Sequence, residues 1–568
     1  MWRAIRRLIA VGWIHSSEWA LARLGRRKPY GVLTLELGGD LAEEGGEQRL
    51  LGLLRRPTAD YLDFITLLRW ARDDAGLAGV LIRCDDLRSS WARLQGLRRS
   101  LERLRAAGKK VWVHLERAGV REYYLASAAE QVSLAPAATL DVTGLSSEAV
   151  FLLDALQKLG VQADVVQMGR YKSAGEMFTR RDMSVSQHEM LESLVDDLYE
   201  QVVVAVSASR RLEPPAVRDL LGRGPFVPAE ARAAGLVDAI AYADEIEHRL
   251  RDACGGAPVI DRAAYTARRG RAMRLEVLRR SRATFALLYV GGTIKPGDSI
   301  PGPPGAHATG SATVAAALAQ VRKRADIGAL IVRIASPGGS VLGSDLIWRE
   351  MMRAREAKPV VVSCGDVAAS GGYYVALAGA PVLAEAGTIT GSIGVIAGKA
   401  SLRGLYDRLG VSKQLISRGR NAALHSDYEP LDEEGRARIH AQADAFYRDF
   451  VAKVAAARGL TDEAAAAAAQ GRVWTGRQAL ERGLIDELGG IEEAFAAAKR
   501  AVGIAAADPV TVERFPRPRR LWKVSVDLNL PNGGALAEVL PALAILPSLR
   551  FLLRERVWAL LPFQLRFF

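Results

Sequence analysis

Short runs of β-branched and aliphatic residues alternate along the chain with longer stretches whose apolar positions recur at helical spacing. A strand–helix–strand order is predicted in each half, over Val80–Arg83, Leu94–Ala107, Val111–His114, Ala329–Ile334, Asp345–Glu356 and Val360–Ser363. Each half ends in long amphipathic helices, for example Gln187–Arg211 and Glu433–Arg458. Strands and helices in this order indicate right-handed βαβ units, so the predicted fold class is α/β.

Similar residues recur in the two halves at a spacing near 250, which indicates an internal duplication. Gly79–Arg83 resembles Ala329–Arg333, and the pair Tyr123–Tyr124 matches Tyr373–Tyr374. One such pair could arise by chance, but the same order and spacing along both halves could not. We therefore expect two tandem homologous domains.

The expected domain limits follow from this repeat and from composition. The first domain is predicted over residues 29–265 and the second over 283–512. An Arg-rich linker is expected through residues 260–282, and a flexible Pro/Gly-rich loop over 296–311. Basic, apolar tails remain at both ends of the chain.

Composition excludes several classes of protein. The chain is 49% hydrophobic and 25% charged, which is typical of a folded globular protein. No stretch approaches the roughly 18 consecutive apolar residues of a transmembrane helix, so a polytopic membrane protein is excluded. Three scattered cysteines are too few for a disulfide framework or a zinc site.

Positive charge is concentrated in the two tails. Residues 1–28 carry seven basic side chains and one acidic one, a net charge of +6, and residues 513–568 carry nine and four, a net charge of +5. A nucleic-acid enzyme would spread basic charge along its binding domain, so no nucleic-acid partner is expected. Basic, apolar tails are instead typical of segments that bind an anionic membrane surface.

Each tail leaves alternatives open. Residues 1–28 have the pattern of an amphipathic helix lying at a membrane interface, but a signal peptide or a helix packed on the body are alternatives. The C-terminal tail, 513–568, could dock on a membrane or on another subunit.

The halves differ where chemistry is expected. In the second half, Ala335–Ser340 places two glycines after a strand, so that backbone N–H groups can face an open crevice. Ser370 lies among small residues at a strand-to-helix turn, as a hydrolase nucleophile does, and its match in the first half is Val120. Lys172 of the first half maps onto Ala422. Each half therefore looks like one part of a single site.

Four segments resemble the signal peptide peptidase A (protease IV) family in its long, duplicated form, namely Gly169–Ala174, Ser336–Ser340, Ala368–Tyr374 and Thr390–Gly394. The likeness covers about residues 30–510. It implies two tandem Clp protease/crotonase-like domains, a Ser–Lys dyad split between them, and a homotetramer. It also implies a membrane-associated endopeptidase that degrades signal peptide remnants and other apolar peptides. The expected location is the bacterial inner membrane, facing the periplasm, and neither a metal nor an organic cofactor is implied.

Carried onto this sequence, the resemblance makes Ser370 the nucleophile and Lys172 the general base. The base must be neutral to take a proton, so burial is expected to lower the pKa of Lys172. The oxyanion is expected to face the N–H groups of Gly339 and Gly371. Ser392 matches a hydroxyl that orients the lysine.

Other interpretations are open. A Ser-His-Asp triad could use His114 and Asp366, but His114 is expected inside a strand and Asp366 is expected to bond a turn. Two other functions remain: a crotonase-like acyl-CoA enzyme, which would need neither Ser370 nor Lys172, and a non-catalytic membrane scaffold.

Overall fold

The structure is a computed structural model that describes residues 31–43, 47–50, 54–57, 61–281, 283–300, 307–516 and 557–560. The amphipathic segment predicted at 1–28 lies outside these residues, as does most of the tail at 513–568. Within the described part of the chain, no helix has both the length and the hydropathy needed to cross a bilayer.

In the first repeat, short strands alternate with helices. The strands are β1 (Val32–Gly39), β2 (Glu47–Leu50), β3 (Leu54–Pro57), β4 (Gly79–Leu87), β5 (Lys110–Leu115), β6 (Ala118–Gly119), β7 (Gln131–Leu134), β8 (Leu140–Asp141), β9 (Gln162–Met168), β10 (Ala239–Ile240) and β11 (Val259–Asp261). The helices are α1 (Tyr61–Asp73), α2 (Trp91–Ala106), α3 (Val120–Ala126), α4 (Leu153–Leu159), α5 (Glu176–Thr179), α6 (Val185–Arg210), α7 (Pro214–Arg223), α8 (Pro228–Ala233), α9 (Ala243–Ala253) and α10 (Arg262–Arg280), with a 3₁₀ turn at Ser173–Gly175.

In the second repeat, the alternation continues. The strands are β12 (Thr284–Gly291), β13 (Thr293–Lys295), β14 (Ala308–Gly310), β15 (Ile327–Ser336), β16 (Gly338–Ser340), β17 (Val360–Ala369), β18 (Val382–Ala384), β19 (Ile389–Gly391), β20 (Val395–Ser401), β21 (Val473–Thr475), β22 (Glu487–Leu488), β23 (Thr511–Phe515) and β24 (Val557–Leu560). The helices are α11 (Ser311–Lys323), α12 (Val341–Ala357), α13 (Gly371–Ala376), α14 (Arg403–Arg408), α15 (Glu433–Arg458), α16 (Asp462–Ala468), α17 (Gly476–Glu481) and α18 (Ile491–Ala501).

Each repeat contains a parallel sheet with the same strand order. The order is β10-β7-β5-β4-β1-β11 in the first repeat and β22-β18-β17-β15-β12-β23 in the second, where β19 and β21 extend the sheet from β17. Helices between parallel strands bury both faces of a sheet, so its strands are apolar throughout. Leu330, Ile331 and Val332 of β15 are all buried. The predicted α/β class with tandem homologous repeats is confirmed.

The repeats also keep equivalent polar contacts. The Tyr123 hydroxyl donates a hydrogen bond to the Leu236 carbonyl, and the Tyr373 hydroxyl donates one to the Leu484 carbonyl. Two equivalent ion pairs are Arg210–Asp238 and Arg458–Asp486. These pairs fix the same turn to the same strand in both repeats, as a duplication requires.

A third sheet joins the two repeats. Its order is β14-β13-β16-β24-β20-β9, in which β9 belongs to the first repeat and the other strands follow it in the chain. β9 and β20 pair in antiparallel register from Gln162–Ser401 to Met168–Val395. Helix α2 of the first repeat adds ion pairs to the second, with Arg99 Nη1 2.7 Å from Glu385 Oε2. The repeats are therefore packed against each other beside the segments that carry the predicted site.

Three regions at the predicted linker, loop and domain end contain regular secondary structure. The linker predicted through 260–282 contains the 19-residue helix α10, because its many arginines are good helix formers. The loop predicted over 296–311 ends in β14, which pairs with β13. Strand β23 crosses the predicted domain end at 512, because its residues pair with β12 to complete the sheet.

Candidate active site

Ser370 lies at the sharp turn between β17 and α13. Its backbone has φ 54° and ψ −115°, a conformation that residues other than glycine rarely adopt. Its N–H donates to the Gly391 carbonyl at 2.7 Å, and its carbonyl accepts from the Tyr374 N–H at 2.8 Å. Such a strained strand-to-helix turn is typical of hydrolase nucleophiles, because it lifts the hydroxyl clear of the sheet.

Lys172 reaches this serine from the other repeat. It follows β9 and immediately precedes the 3₁₀ turn that begins at Ser173. Its Nζ lies 2.7 Å from Ser370 Oγ, 2.8 Å from Ser392 Oγ and 2.9 Å from the Ser392 carbonyl oxygen. The structure therefore brings the three predicted side chains together, although Lys172 and Ser370 are 198 positions apart.

Burial determines the protonation state of the lysine. Lys172, Ser370 and Ser392 each have 0% of their surface exposed. Desolvation lowers the pKa of the Lys172 amine well below its ordinary value, because the charged form loses its hydration. The amine is thus suited to accept a proton from the Ser370 hydroxyl.

A loop of the second repeat holds the lysine segment, and sequence reasoning missed it. The Tyr171 N–H donates to the Gln470 carbonyl at 2.8 Å. A Cβ on Gly471 would lie 2.5 Å from the Cβ of Lys172, so only glycine fits there without displacing the lysine. A single glycine in a polar loop carries no signal that could have identified it.

The predicted oxyanion glycines lie side by side. A Cβ on Gly371 would be 3.2 Å from the Gly339 nitrogen, and a Cβ on Gly339 would be 2.1 Å from the Ile294 carbonyl oxygen. Gly339 has φ 156° and belongs to β16, while Gly371 directly follows Ser370. Two backbone N–H groups can approach one substrate oxygen here because neither residue has a side chain.

The residues of the alternative triad lie apart. His114 is buried in the first sheet, with Nδ1 3.0 Å from Ser133 Oγ. The expectation that Asp366 bonds a turn is wrong, since its Oδ2 lies 2.6 Å from Arg93 Nε. Helix α2 of the first repeat brings this guanidinium to the carboxylate. In the described part of the chain, no cluster of three His, Cys, Asp or Glu residues is placed to hold a metal.

One position close to the proposed nucleophile differs between the repeats, because the first repeat has Glu122 there. Glu122 Oε1 accepts from the Leu87 N–H at 2.5 Å, and Oε2 accepts from the Gly119 N–H at 2.8 Å. The position 250 residues later is Gly372. The first repeat therefore has a carboxylate that caps the start of helix α3, whereas the second repeat has a glycine at that position.

Comparisons with known proteins agree with this architecture. The sequence model of Peptidase family S49 matches twice, at residues 103–255 and 352–505. The chain is 33% identical over 510 residues to "Serine protease SPPA, chloroplastic" of Arabidopsis thaliana. This alignment covers 88% of this chain and 72% of that protein. It is also 30% identical over 496 residues to "Protease 4" of Salmonella typhi, in an alignment that covers 82% of this chain and 78% of that protein.

These matches and the fold define a serine peptidase with an internal repeat. The chain belongs to peptidase family S49. Among solved structures, a ClpP1 mutant from Listeria monocytogenes matches with TM-score 0.24 and 14% identity, covering 37% of this chain and 93% of that one. A mutant of the 1510-N membrane-bound stomatin-specific protease matches with TM-score 0.26 and 15% identity, covering 42% of this chain and 99% of that one.

Proposed function

We propose that the chain is a membrane-associated endopeptidase with a Ser370–Lys172 dyad, which cleaves signal peptide remnants and other apolar peptides through an acyl-enzyme. The observation that carries this proposal is the 2.7 Å separation of Lys172 Nζ and Ser370 Oγ, two buried groups from different repeats. A buried amine needs hydrogen-bond partners, but any acceptor would serve, whereas a Ser–Lys nucleophile requires the hydroxyl of the strained turn.

In the acylation step, the neutral amine of Lys172 takes the proton of Ser370 as Oγ attacks the peptide carbonyl. The carbonyl oxygen gains negative charge and accepts hydrogen bonds from the N–H groups of Gly339 and Gly371. Each such donor contributes about 3 kcal/mol to stabilising the transition state. The lysine then gives its proton to the leaving amine, and the acyl group remains on Ser370.

In the deacylation step, the neutral amine of Lys172 takes a proton from a water molecule that attacks the acyl carbonyl. The proton returns to Ser370 Oγ as the ester bond breaks, and the acid product leaves. Ser392 Oγ, 2.8 Å from Nζ, fixes the amine position during both steps. This is a positioning role, since Ser392 does not touch the reacting carbonyl.

Membrane association, the periplasmic face of a bacterial inner membrane and a homotetrameric assembly belong to the same proposal. The charges of +6 on residues 1–28 and +5 on 513–568 support contact with an anionic membrane surface. Flotation with anionic and with neutral vesicles checks this part, because charge-driven binding requires the anionic lipid.

The test is cleavage of an apolar fluorogenic peptide across pH in mild detergent, by wild type, Ser370→Ala, Lys172→Ala and Lys399→Ala. Lys399 is a matched control, because burial also lowers its pKa but its Nζ contacts the Ser426 carbonyl instead of Ser370. Losing the nucleophile or the base should lower the rate by at least about 10³-fold, and Lys399→Ala should not. Near-normal activity of Lys172→Ala would show that the base is misassigned.

Labelling by a serine-directed phosphonate separates the alternatives. A peptidase should be labelled at Ser370, and Ser370→Ala should abolish the labelling. A folded wild type that neither cleaves the peptide nor reacts with the phosphonate would favour the membrane scaffold. If that inactive protein binds an acyl-CoA, the crotonase-like enzyme would be favoured.

A further inference from the structure

The C-terminal strand β24 is inserted into the third sheet between β16 and β20. It pairs antiparallel with β16, where Ala559 is opposite Gly339 and Trp558 is opposite Ser340. It also pairs antiparallel with β20, where Trp558 is opposite Ile396. A segment from the far end of the chain therefore bridges two strands that do not pair with each other.

Without β24, the sheet would have a gap one strand wide. Strands β16 and β20 would be facing edges about 9–10 Å apart, which is twice the spacing of neighbouring strands. Each edge would present main-chain N–H and C=O groups toward the gap, and an extended peptide binds such edges through its own backbone. The gap is therefore a groove for an extended peptide.

This groove lies at the proposed dyad. Strand β16 contains Gly339, and β20 begins three residues after Ser392. Strand β9, on the other side of β20, ends four residues before Lys172. β24 also lies next to helix α13, which begins directly after Ser370. A peptide presented to the dyad as an extended strand must use the place that β24 occupies.

The occupant has the composition of an apolar peptide. Its residues are Val-Trp-Ala-Leu, whereas the stretch just before it contains Arg554, Glu555 and Arg556. Forty residues separate it from Pro516, the preceding residue that the structure describes. A ligand that belongs to the same chain as its binding site is held there at an effective concentration of about 1 mM.

We propose that Val557–Leu560 is a built-in ligand of the peptide groove, which competes with substrate for pairing to β16 and β20. The proposal rests on the proposed function, because it assigns the groove to the same dyad. A substrate strand binds only after β24 has left the groove, so the tail raises the peptide concentration that is needed for cleavage. At an effective concentration of about 1 mM and an intrinsic dissociation constant near 0.1 mM, the KM for a peptide rises about tenfold.

The test uses the full chain with Ala559→Pro. Proline has no N–H and a fixed φ, so it breaks the pairing of β24 without touching the dyad. Ala535→Pro is the matched control, because it makes the same substitution in the same tail but outside β24. Ala559→Pro should lower the KM for an apolar fluorogenic peptide about tenfold with kcat unchanged, and the control should match wild type.

Binding gives a readout that does not need catalysis. In a Ser370→Ala background, fluorescence anisotropy of a labelled apolar peptide should show about tenfold tighter binding with Ala559→Pro. A synthetic peptide of residues 553–562 should then restore weak binding. Should Ala559→Pro not fold, Trp558→Pro breaks the position that pairs with both neighbouring strands.

An active Ala559→Pro enzyme with wild-type KM, and unchanged peptide binding in the Ser370→Ala background, would overturn the inference and leave the proposed function standing. Inert wild type with tighter peptide binding in Ala559→Pro would keep the inference and reject the peptidase dyad. If wild type cleaves off its own C-terminal tail and Ser370→Ala does not, the segment Val557–Leu560 is a substrate. That result would overturn its assignment as a resident ligand. A KM that rises with enzyme concentration would overturn the intramolecular assignment.

Discussion

Replacing Gly371 with alanine perturbs the proposed oxyanion site without adding charge or removing a hydrogen-bonding group. The new Cβ would lie 2.5 Å from Ser344 Oγ, whereas real Cβ atoms essentially never come within 3.0 Å of another heavy atom. Ser344 cannot rotate away freely, because it is buried and its hydroxyl donates to the Ser340 carbonyl at 2.9 Å. The turn that holds Ser370 must therefore shift by about half an ångström.

The expected magnitude follows from what that shift moves. The N–H of Gly371 and the Oγ of Ser370 both belong to the displaced turn, and a misplacement of about 1 Å at a reacting group can cost about 10²-fold. Loss of one oxyanion donor costs about 10²–10³-fold in kcat. We therefore expect Gly371→Ala to lower kcat about 10²-fold with little change in KM, because the donor acts in the transition state.

The assay is steady-state cleavage of the fluorogenic peptide by wild type, Gly371→Ala, Ser344→Ala and the double variant. Ser344→Ala removes the clashing oxygen, so the double variant should recover at least about tenfold of the lost kcat. Ser344→Ala alone should stay close to wild type, since its hydroxyl contacts only the Ser340 carbonyl among the contacts described. A double variant as slow as Gly371→Ala would show that the clash with Ser344 does not cause the loss of kcat. A Gly371→Ala variant with wild-type activity would refute the assignment of Gly371 to the oxyanion site.

Further predictions concern protonation, positioning and stability. The cleavage rate should rise with pH to a plateau reached below the ordinary lysine pKa of about 10.4. Desolvation lowers the pKa of Lys172, and only the neutral amine accepts a proton. A pH–rate profile that rises only around the ordinary lysine pKa would contradict this. Ser392→Ala should lower kcat about 3- to 10-fold at unchanged KM, since one hydrogen bond to the amine is lost, and an unchanged kcat in steady-state kinetics would remove Ser392 from the site. Arg99→Ala should lower the free energy of unfolding by about 3 kcal/mol, because it leaves Glu385 buried without its bidentate partner. Denaturant unfolding measures this loss, with Arg117→Ala in an exposed ion pair as the control expected to cost much less; equal losses would show that burial of the pair does not matter.

Local periodicity was sufficient to predict the α/β class, because buried parallel strands and amphipathic helices leave distinct patterns. The strand predicted at Val360–Ser363 is confirmed but continues to Ala369, since small residues near its end carry little periodic signal. The pairing of β9 with β20 could not be predicted, because nothing in either segment encodes a partner in the other repeat.

The candidate site could be located because the duplication supplies an internal reference. Ser370 and Lys172 stand out since their matches are Val120 and Ala422, which cannot do the same chemistry. The support from Gly471 could not be predicted, because close approach of two backbones depends on the packed structure. For the same reason, the ion pair of Asp366 required knowledge of which helix packs beside it.

The division of the proposed dyad between two repeats also has a consequence for synthesis of the chain. Ser370 emerges from the ribosome 198 residues after Lys172, a delay of about 10–40 s at ordinary translation rates. During this time the nascent first repeat has the proposed base but no nucleophile, because its position matching Ser370 is Val120. A prematurely released chain would therefore be unable to attack its neighbours, and proteolytic competence would coincide with docking of the second repeat on the first.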